Sequence, residues 1–271
     1  MADRFDLTGR TAIVTGGGGI LGQGFCEVLA AHGASVAVFD VNEASAGKTV
    51  DAIKTSAPSA RAIAVSCDVS SAASVAAAVG RVVTEFGGID ILHNNAASKS
   101  SNLADFFTPF EEFKLETWRE IMGVNIDGMF LMAQAVGKQM LAQRRGGSII
   151  QTASIYGVVA PDQRIYEGSQ YLNRAINTPA VYSASKAAVI GLTKYLASYW
   201  GAHGIRVNTL TPGGVESGQN DVFSAKYSAR VPLGRMARAD EMQSALLFLA
   251  SDASSYMTGQ NLVIDGGLTC W

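Results

Sequence analysis

Residues 11–40, TAIVTGGGGILGQGFCEVLAAHGASVAVFD, combine a short apolar strand, a glycine cluster, an amphipathic helix and a second strand that ends in Asp40. Glycines such as Gly16 and Gly19 let a backbone approach a phosphate closely, and the next helix offers free N–H groups and a positive dipole end. Asp40 follows Gly22 by 18 residues, close to the interval of about 20 expected for an acid that binds ribose hydroxyls. The stretch therefore predicts a βαβ unit that binds a dinucleotide.

Asp40 also indicates which dinucleotide is bound. A carboxylate accepts hydrogen bonds from both ribose hydroxyls but repels a 2′-phosphate, and the next residues, Val41 and Asn42, add no cation. We therefore expect NAD rather than NADP. A structural alternative, in which Asp40 caps the helix that begins near Asn42, is compatible with this role.

Seven apolar segments recur along the chain with helical patterns between them. They are TAIVT, SVAVFD, RAIAVS, IDILHN, GSIIQTA, IRVNTL and NLVID. Strands that alternate with helices predict a parallel sheet buried on both faces. We predict an α/β fold, a Rossmann-type doubly wound seven-stranded parallel sheet with helices on both faces, in a single domain over residues 1–271. The functional groups are expected at the carboxyl ends of the strands.

A tyrosine and a lysine four residues apart, Tyr182 and Lys186, lie in VYSASKAAVIGLTKYL. On a helix this spacing places a phenol and an ammonium on one face. A neighbouring cation favours the phenolate and so lowers the pKa of a phenol from its ordinary value near 10. The pair is also common on helix surfaces, so its interpretation as an acid–base pair depends on the other motifs.

The ordered series of motifs resembles the short-chain dehydrogenase/reductase family over nearly the whole chain. The motifs are TGGGGILG, CDVS, HNNAA, MGVN, QTASIYG, YSASK, RVNTL, TPGGVESG and TGQNLVIDGG. Two positions depart from the family pattern. Ile20 stands where the glycine two residues before Gly22 is usual, a variant similar to that of sugar-acid and polyol enzymes, and Ala97 replaces a glycine.

The resemblance implies a role for each polar residue of the motifs. Tyr182 would be the catalytic acid/base, Ser154 would bind the substrate oxygen, and Lys186 would lower the phenol pKa and bind the nicotinamide ribose. Asn125, in a helical stretch of about 111–143, would hold a water that links Lys186 to solvent. Ser154 has the alternative role of capping a turn. The implied cofactor-binding residues are Gly16, Gly19, Leu21, Asp40, Asp68, Val69, Asn95, Tyr182, Lys186, Pro212, Gly213, Val215 and Ser217.

The segment between Ser154 and Tyr182 is longer than the family usually shows, and we place an insertion at about 159–180 (the insertion). It is polar and aromatic, and it carries Arg164 and Arg174. Long irregular segments beside an active site are often lids or binding loops, and arginine can hold a carboxylate through two hydrogen bonds. We expect both arginines, with Ser154 and Tyr182, to bind a hydroxylated or anionic substrate. A subunit contact or a solvent-facing loop is the alternative.

Composition excludes several other classes of function. The net charge of −2 and the pI near 5.9 leave no basic surface for nucleic acid or anionic membrane. The N-terminus lacks a secretory pattern and no run of 18 apolar residues occurs, so we expect a cytoplasmic protein. The three histidines are scattered, so no metal site is expected. The family resemblance implies a homo-oligomer, either a dimer or a tetramer.

The sequence thus favours an NAD-dependent oxidoreductase that acts on a secondary alcohol of a sugar, sugar acid or polyol. A second enzymatic interpretation is a broad carbonyl reductase that takes bulky ketones. A third, from another class, is a sensor or scaffold that binds NAD without turnover. Such a protein would not require Tyr182, Lys186, Ser154 and Asn125 all to be present.

Overall fold

The computed structural model describes residues 3–171 and 173–271, so Met1, Ala2 and Leu172, which lies inside the insertion, are outside the described residues. A seven-stranded parallel sheet forms the centre and has the order β3-β2-β1-β4-β5-β8-β9. Its strands are β1 (Thr11–Thr15), β2 (Ser35–Asp40), β3 (Ala62–Ser66), β4 (Ile91–Asn94), β5 (Gly147–Thr152), β8 (Ile205–Pro212) and β9 (Asn261–Ile264). All seven predicted strands are present, and the Rossmann-type fold is confirmed.

The connections between the strands are mostly helical. The helices are α1 (Ile20–Ala31), α2 (Glu43–Ser56), α3 (Ala72–Phe86), α4 (Leu103–Phe106), α5 (Leu115–Met122), α6 (Gly128–Gln143), α7 (Ala180–Trp200), α8 (Asp221–Ser228) and α9 (Gln243–Ala250). Within the described residues, no helix is long and apolar enough to cross a membrane.

Side chains of the central strands alternate between two apolar cores, one on each face of the sheet. In β1, Ile13 packs with α3, α6 and α7, whereas its neighbours Ala12 and Val14 pack with α1, α2 and α9. This alternation follows from the two-residue period of a strand. Both faces of the sheet are therefore covered by helices, as a buried parallel sheet requires.

The glycine cluster forms the tight connection from β1 to α1. Gly16 has a φ of 63°, in the left-handed region that glycine adopts without strain. A Cβ on Gly22 would collide with the Gly16 carbonyl oxygen, so the first turn of α1 packs directly on the loop. Gly19 is the N-cap of α1, while the side chain of Ile20 is 66% exposed. The cluster therefore closes its turn without a glycine at position 20.

The predicted helical stretch of about 111–143 is wrong in its start and its continuity. Residues Phe110–Glu112 form a separate 3-10 turn, and α5 begins at Leu115. A π-helical turn, Gly123–Asp127, then separates α5 from α6. Single π turns inside helices often occur at functional sites, and this one contains Asn125.

The insertion has more structure than a loop. It contains a 3-10 turn, Gln163–Tyr166, and a small hairpin of β6 (Gln170–Tyr171) and β7 (Arg174–Ala175). Tyr171 pairs with Arg174 in the antiparallel register. The insertion then leads into α7, whose N-cap Pro179 lies three residues before Tyr182.

Candidate active site

The predicted site residues converge at the carboxyl edge of the sheet. The strands β1, β4, β5 and β8 are adjacent and parallel, so the residues after them meet along one edge. Gly16, Asn95 and Ser154 follow the first three of these strands, and Pro212 ends the fourth. Helix α7 contacts β5 and β8, which brings Tyr182 and Lys186 to the same edge.

Ser154 and Tyr182, the predicted catalytic pair, meet at this edge. Burial raises the pKa of the Tyr182 phenol, and a hydrogen bond with the Ser154 hydroxyl opposes this effect. Ser154 also caps the short turn that follows it, because its Oγ accepts a hydrogen bond from the Tyr156 N–H at 3.3 Å. The capping role expected as the alternative is therefore present, and it is compatible with the predicted catalytic role.

Lys186 is only 2% exposed, and its ammonium donates a hydrogen bond to the Thr152 carbonyl at 3.0 Å. Burial lowers the lysine pKa to about 8. The ammonium lies 5.9 Å from the centre of the Tyr182 ring. The expectation that Lys186 lowers the Tyr182 pKa is not met in this arrangement, because the ammonium points to Thr152 and burial dominates the phenol.

Asn125 is fully buried and joins two parts of the site. Its Oδ1 accepts a hydrogen bond from the Ser98 N–H at 2.8 Å, and its Nδ2 donates to the Ser185 Oγ at 3.4 Å. Ser185 in turn donates to the Tyr182 carbonyl at 2.8 Å. Asn125 therefore connects the loop after β4 to α7, and its π turn alters the regular pattern of main-chain hydrogen bonds beside it.

The glycine cluster has the form of a phosphate cradle. Helix α1 has no side-chain cap at Gly19, so the N–H groups of its first turn point out of the helix without intrahelical acceptors. A Cβ on Gly18 would lie 2.6 Å from the Ser45 Cβ and 3.0 Å from the Asp40 Oδ2. These close approaches explain the run of glycines, and the free N–H groups fit a pyrophosphate.

Asp40 lies beside this cradle, where its two oxygens accept hydrogen bonds from Gly18 N–H at 3.0 Å and Asn42 N–H at 2.9 Å. A carboxylate has about four acceptor positions, so each oxygen retains capacity for a ribose hydroxyl. The cap of α2 is Asn42, whose side chain accepts from the Ser45 N–H. Asp40 is therefore not the cap that the alternative interpretation required.

Four other residues predicted to bind the cofactor follow β1, β3 and β4. Asn95 donates from Nδ2 to the carbonyls of Thr15 and Gly16, at 3.2 and 3.4 Å, and so braces the glycine cluster. Asp68 accepts two hydrogen bonds from Ser70. Val69 is buried against Gly128, and Leu21 is half-buried in the first turn of α1.

Residues 213–217, here named the cofactor loop, follow β8. Gly213 N–H donates to the Ile264 carbonyl at 2.9 Å, and Val215 forms an isolated bridge with Ala237. The loop also has a partner that the sequence did not reveal: Gln219 donates to the Val215 carbonyl and the Ser217 hydroxyl, both at 2.9 Å. Gln219 thus closes the loop on itself.

The two arginines of the insertion have different surroundings in the structure. The Arg164 side chain is 82% exposed and paired with Asp162 at 2.8 Å, so its guanidinium is held within its own turn. Arg174 instead lines a cavity of about 450 Å³. Tyr171 and the segment Ser101–Ala104 form the rest of that cavity with Phe107.

A group of tyrosines near the catalytic pair was missed by sequence reasoning. Tyr156 and Tyr166 pack together beside Ile155, and the Tyr166 hydroxyl bonds to the Thr178 Oγ1. Burial raises the pKa of both phenols. Tyr227, on α8, is also buried in this cluster. The aromatic character of the insertion was the available signal, but no spacing placed these rings together.

A larger groove, of about 1160 Å³, lies between the insertion, α5 and α7. Its lining includes Phe110, Trp118, Val158 and Ser183 but neither Ser154 nor Tyr182. The lining of the cavity of about 450 Å³ likewise includes neither residue. In the part of the chain that the structure describes, no group of three or more His, Cys, Asp or Glu residues is arranged to hold a metal ion.

Comparison with known proteins gives consistent matches over the whole chain. The family model "short chain dehydrogenase" matches residues 10–228. A D-threitol dehydrogenase from Mycolicibacterium smegmatis is 39% identical over 270 residues, which cover 98% of this chain and 95% of the relative.

Two solved structures are similarly close. A gluconate 5-dehydrogenase from Burkholderia cenocepacia J2315, in complex with NADP and tartrate, is 34% identical with a TM-score of 0.86, over 99% of this chain and 98% of that chain. A short chain dehydrogenase from Leptospira borgpetersenii with bound NAD+ is 31% identical with a TM-score of 0.85, over 99% of this chain and 96% of that chain.

Proposed function

The chain belongs to the short-chain dehydrogenase family and is an oxidoreductase, and from this premise we propose that it is an NAD-dependent dehydrogenase for a secondary alcohol of a sugar, sugar acid or polyol. The observation that carries the proposal is the meeting of Ser154, Tyr182 and Lys186 at one strand edge, next to a glycine cradle shaped for a pyrophosphate.

The cofactor would lie along this edge. The free N–H groups after Gly19 would hold the pyrophosphate, Asp40 would accept the adenosine ribose hydroxyls, and Asp68 and Val69 would border the adenine. Lys186 and the cofactor loop would hold the nicotinamide half. When bound, the nicotinamide ring would provide the acceptor for the hydride of the alcohol carbon.

Preference for NAD over NADP is argued from the charge around Asp40. Its carboxylate sits 3.0 Å from the Gly18 N–H, and Val41 and Asn42 add no cation to offset it. A 2′-phosphate would meet this negative charge directly. The similar proteins include an NADP complex and an NAD+ complex, so the preference must come from this chain's own residues.

The proton chemistry falls to Tyr182. In alcohol oxidation its phenolate would accept the hydroxyl proton while the Ser154 hydroxyl donates a hydrogen bond to the same substrate oxygen. The hydrogen bond with the Ser154 hydroxyl favours the phenolate, because it opposes the effect of burial on the Tyr182 pKa. Asn125, which reaches Tyr182 through Ser185, would hold the water that links Lys186 to solvent.

The substrate class is argued from the polar surface of the insertion. Arg174 and Tyr171 line the cavity of about 450 Å³, and both side chains can hydrogen-bond a hydroxyl or a carboxylate. Similar proteins named for threitol and gluconate act on polyhydroxylated molecules. Arg174 is therefore the better candidate for a substrate contact, because Arg164 already has Asp162 as its partner.

A substrate screen tests the proposal. Sugars, sugar acids and polyols would be offered with NAD and with NADP, and the reduced cofactor followed by its absorbance. We expect turnover with NAD at substrate concentrations of about 1 mM or below. Turnover confined to hydrophobic ketones would instead support the broad carbonyl reductase, and cofactor binding without any turnover would support the sensor or scaffold.

We propose further that the protein is a cytoplasmic homo-oligomer. Phe130 on α6 is 47% exposed, and Tyr195 and Tyr199 on α7 are exposed and stacked on each other. Exposed aromatic groups of this kind are enriched at subunit interfaces. The free thiols of Cys26, Cys67 and Cys270 fit a reducing compartment. Light scattering after size-exclusion chromatography would give the mass, and a monomer would contradict the assembly.

A further inference from the structure

Helix α8 is attached to the insertion by several hydrogen bonds. The Lys226 ammonium donates to the carbonyls of Arg164 and Glu167, at 3.1 and 2.7 Å. At the other end of α8, its N-cap Asn220 accepts from the Ser169 hydroxyl at 2.9 Å. Because both ends are tied to the insertion, the two segments form one unit.

Aromatic stacking continues this unit toward the catalytic edge. The rings of Tyr166 and Phe223 stack with centroids 5.4 Å apart and an interplanar angle of 23°. Phe223 in turn contacts Tyr227, with centroids 5.8 Å apart. A row of three rings therefore runs from the insertion into α8 and ends at Tyr227, which is 3% exposed.

Tyr227 ends this row against the cofactor loop. Its hydroxyl oxygen accepts the Gly214 N–H at 2.5 Å. The ring also fills the space beside Gly214, since a Cβ on that glycine would lie 2.5 Å from the Tyr227 Cζ. Burial raises the pKa of Tyr227 to about 12, so the phenol is neutral at physiological pH and accepts the amide as an uncharged group.

We propose that Tyr227 is a positioning residue that fixes the cofactor loop, and that the insertion fixes Tyr227 through α8. The inference rests on the proposed function, in which residues 213–217 hold the nicotinamide half of the cofactor. Through this connection, the segment proposed to bind the substrate also sets the position of the loop that binds the nicotinamide. In this proposal Tyr227 itself touches neither the substrate alcohol nor the nicotinamide ring.

Hydrogen exchange of the cofactor-free protein, followed by mass spectrometry, tests the first step. Tyr227→Phe keeps the ring against Gly214 and removes only the acceptor of its N–H. We expect exchange in residues 213–217 to become roughly three- to tenfold faster, the range for one neutral hydrogen bond. The affinity for NADH, measured by fluorescence titration, should fall by a similar factor. Unchanged exchange in this loop would overturn the role of Tyr227.

The second step is tested from the insertion side. Lys226→Met keeps the aliphatic stem and removes the donor to Arg164 and Glu167, so exchange in the cofactor loop should rise by a smaller factor. In the Tyr227→Phe background the same change should add nothing. Additive effects, or no effect of Lys226→Met, would overturn the link through α8.

Matched controls separate these effects from general loosening. Tyr256→Phe alters a fully exposed tyrosine, and Lys54→Met alters an exposed lysine of α2; both should leave exchange in the cofactor loop unchanged. Gly214→Ala should also displace the loop, because its methyl group would meet the Tyr227 ring. A wild-type protein that binds no nicotinamide cofactor would refute the proposed function, while the exchange measurements would still decide the role of Tyr227.

Discussion

The Lys186 ammonium donates a hydrogen bond to the main-chain carbonyl of Thr152, 3.0 Å away. Thr152 ends β5 two residues before Ser154, so this bond attaches α7 to the strand that precedes the serine. The Thr152 hydroxyl bonds in turn to the Nε2 of His93 at 2.7 Å. One threonine thus joins a buried lysine and a buried histidine, and burial disfavours the charged form of both.

Lys186 should make the folded state more stable as the pH rises from about 8 to about 10.5. Burial lowers its pKa to about 8 from 10.5. Between these values the unfolded chain carries a proton that the folded chain has lost, so a rise in pH favours folding. The contribution is about 3 kcal/mol across the window. Urea unfolding at several pH values, with Lys186→Met as the reference, measures it; parallel pH profiles of the two proteins would contradict the expectation.

Tyr182→Phe should keep the fold and the cofactor affinity but lose nearly all turnover. The ring still packs beside Lys186, whereas the group that exchanges a proton with the substrate is gone. A loss of about 100- to 10,000-fold in kcat is expected for general acid–base catalysis. Steady-state kinetics with NADH titration measures both quantities.

Tyr156→Phe is the matched control for this change, because Tyr156 is a neighbouring, partly buried phenol with its pKa raised. It should retain most of the turnover. Substantial activity in Tyr182→Phe together with a large loss in Tyr156→Phe would move the acid–base role to Tyr156.

His93 should make the protein sensitive to acid. The histidine is fully buried, and burial lowers its pKa to about 3 from 6.5. Below about pH 6.5 the unfolded chain binds a proton that the folded chain refuses, so stability falls as the pH falls. Between about pH 6.5 and pH 5 this one group removes about 2 kcal/mol.

Urea unfolding of His93→Gln at these two pH values isolates the contribution of His93. The glutamine can still bond to Thr152 but does not titrate, so the variant should lose less stability on acidification than the wild type. His203→Gln, at an exposed histidine, should behave as the wild type does. An equal acid sensitivity of all three proteins would exclude His93 as the cause.

The sequence predicted the sheet well because its signals are local. Each strand is a short apolar run that ends at a glycine or a polar residue, and this pattern survives without knowledge of the tertiary structure. The end of α5 at a π turn was not predictable in the same way. The helical period continues through Asn125, whose hydrogen-bond partners Ser98 and Ser185 are distant in the sequence.

The sequence could not predict which side chains of the candidate site contact each other. Arg164 and Arg174 cannot be told apart by residue type, and only the structure shows that Arg164 forms an ion pair with Asp162. Tyr227 was invisible because its contact with Gly214 depends on how α8 packs against the insertion. Burial likewise reversed the expected direction of the Tyr182 pKa, since the depth of a side chain is a tertiary property.

Asp40→Ala should relax the preference for NAD and allow NADP to be used. The change removes the charge that repels a 2′-phosphate, and it also removes acceptors of the Gly18 and Asn42 N–H groups. Affinity for NAD should therefore fall while affinity for NADP rises. The ratio of kcat/KM for the two cofactors measures the change, with Asp51→Ala, at an exposed aspartate of α2, as the control. An unaltered protein that uses both cofactors equally would contradict the role of Asp40.

Arg174→Ala should weaken substrate binding more than Arg164→Ala does. Both arginines lie in the insertion, but Arg174 lines the cavity of about 450 Å³, whereas the Arg164 guanidinium is paired with Asp162 and exposed. Loss of a charged hydrogen bond costs about 1.5 to 3 kcal/mol, and it should appear as a raised KM with kcat and NAD affinity unchanged. Arg174→Lys keeps the charge and should recover part of the loss.

A fall in kcat instead of a rise in KM would mean that Arg174 acts in closing the insertion over the site. Unchanged kinetics in both alanine variants on the identified substrate would leave the insertion as a subunit contact or solvent-facing loop.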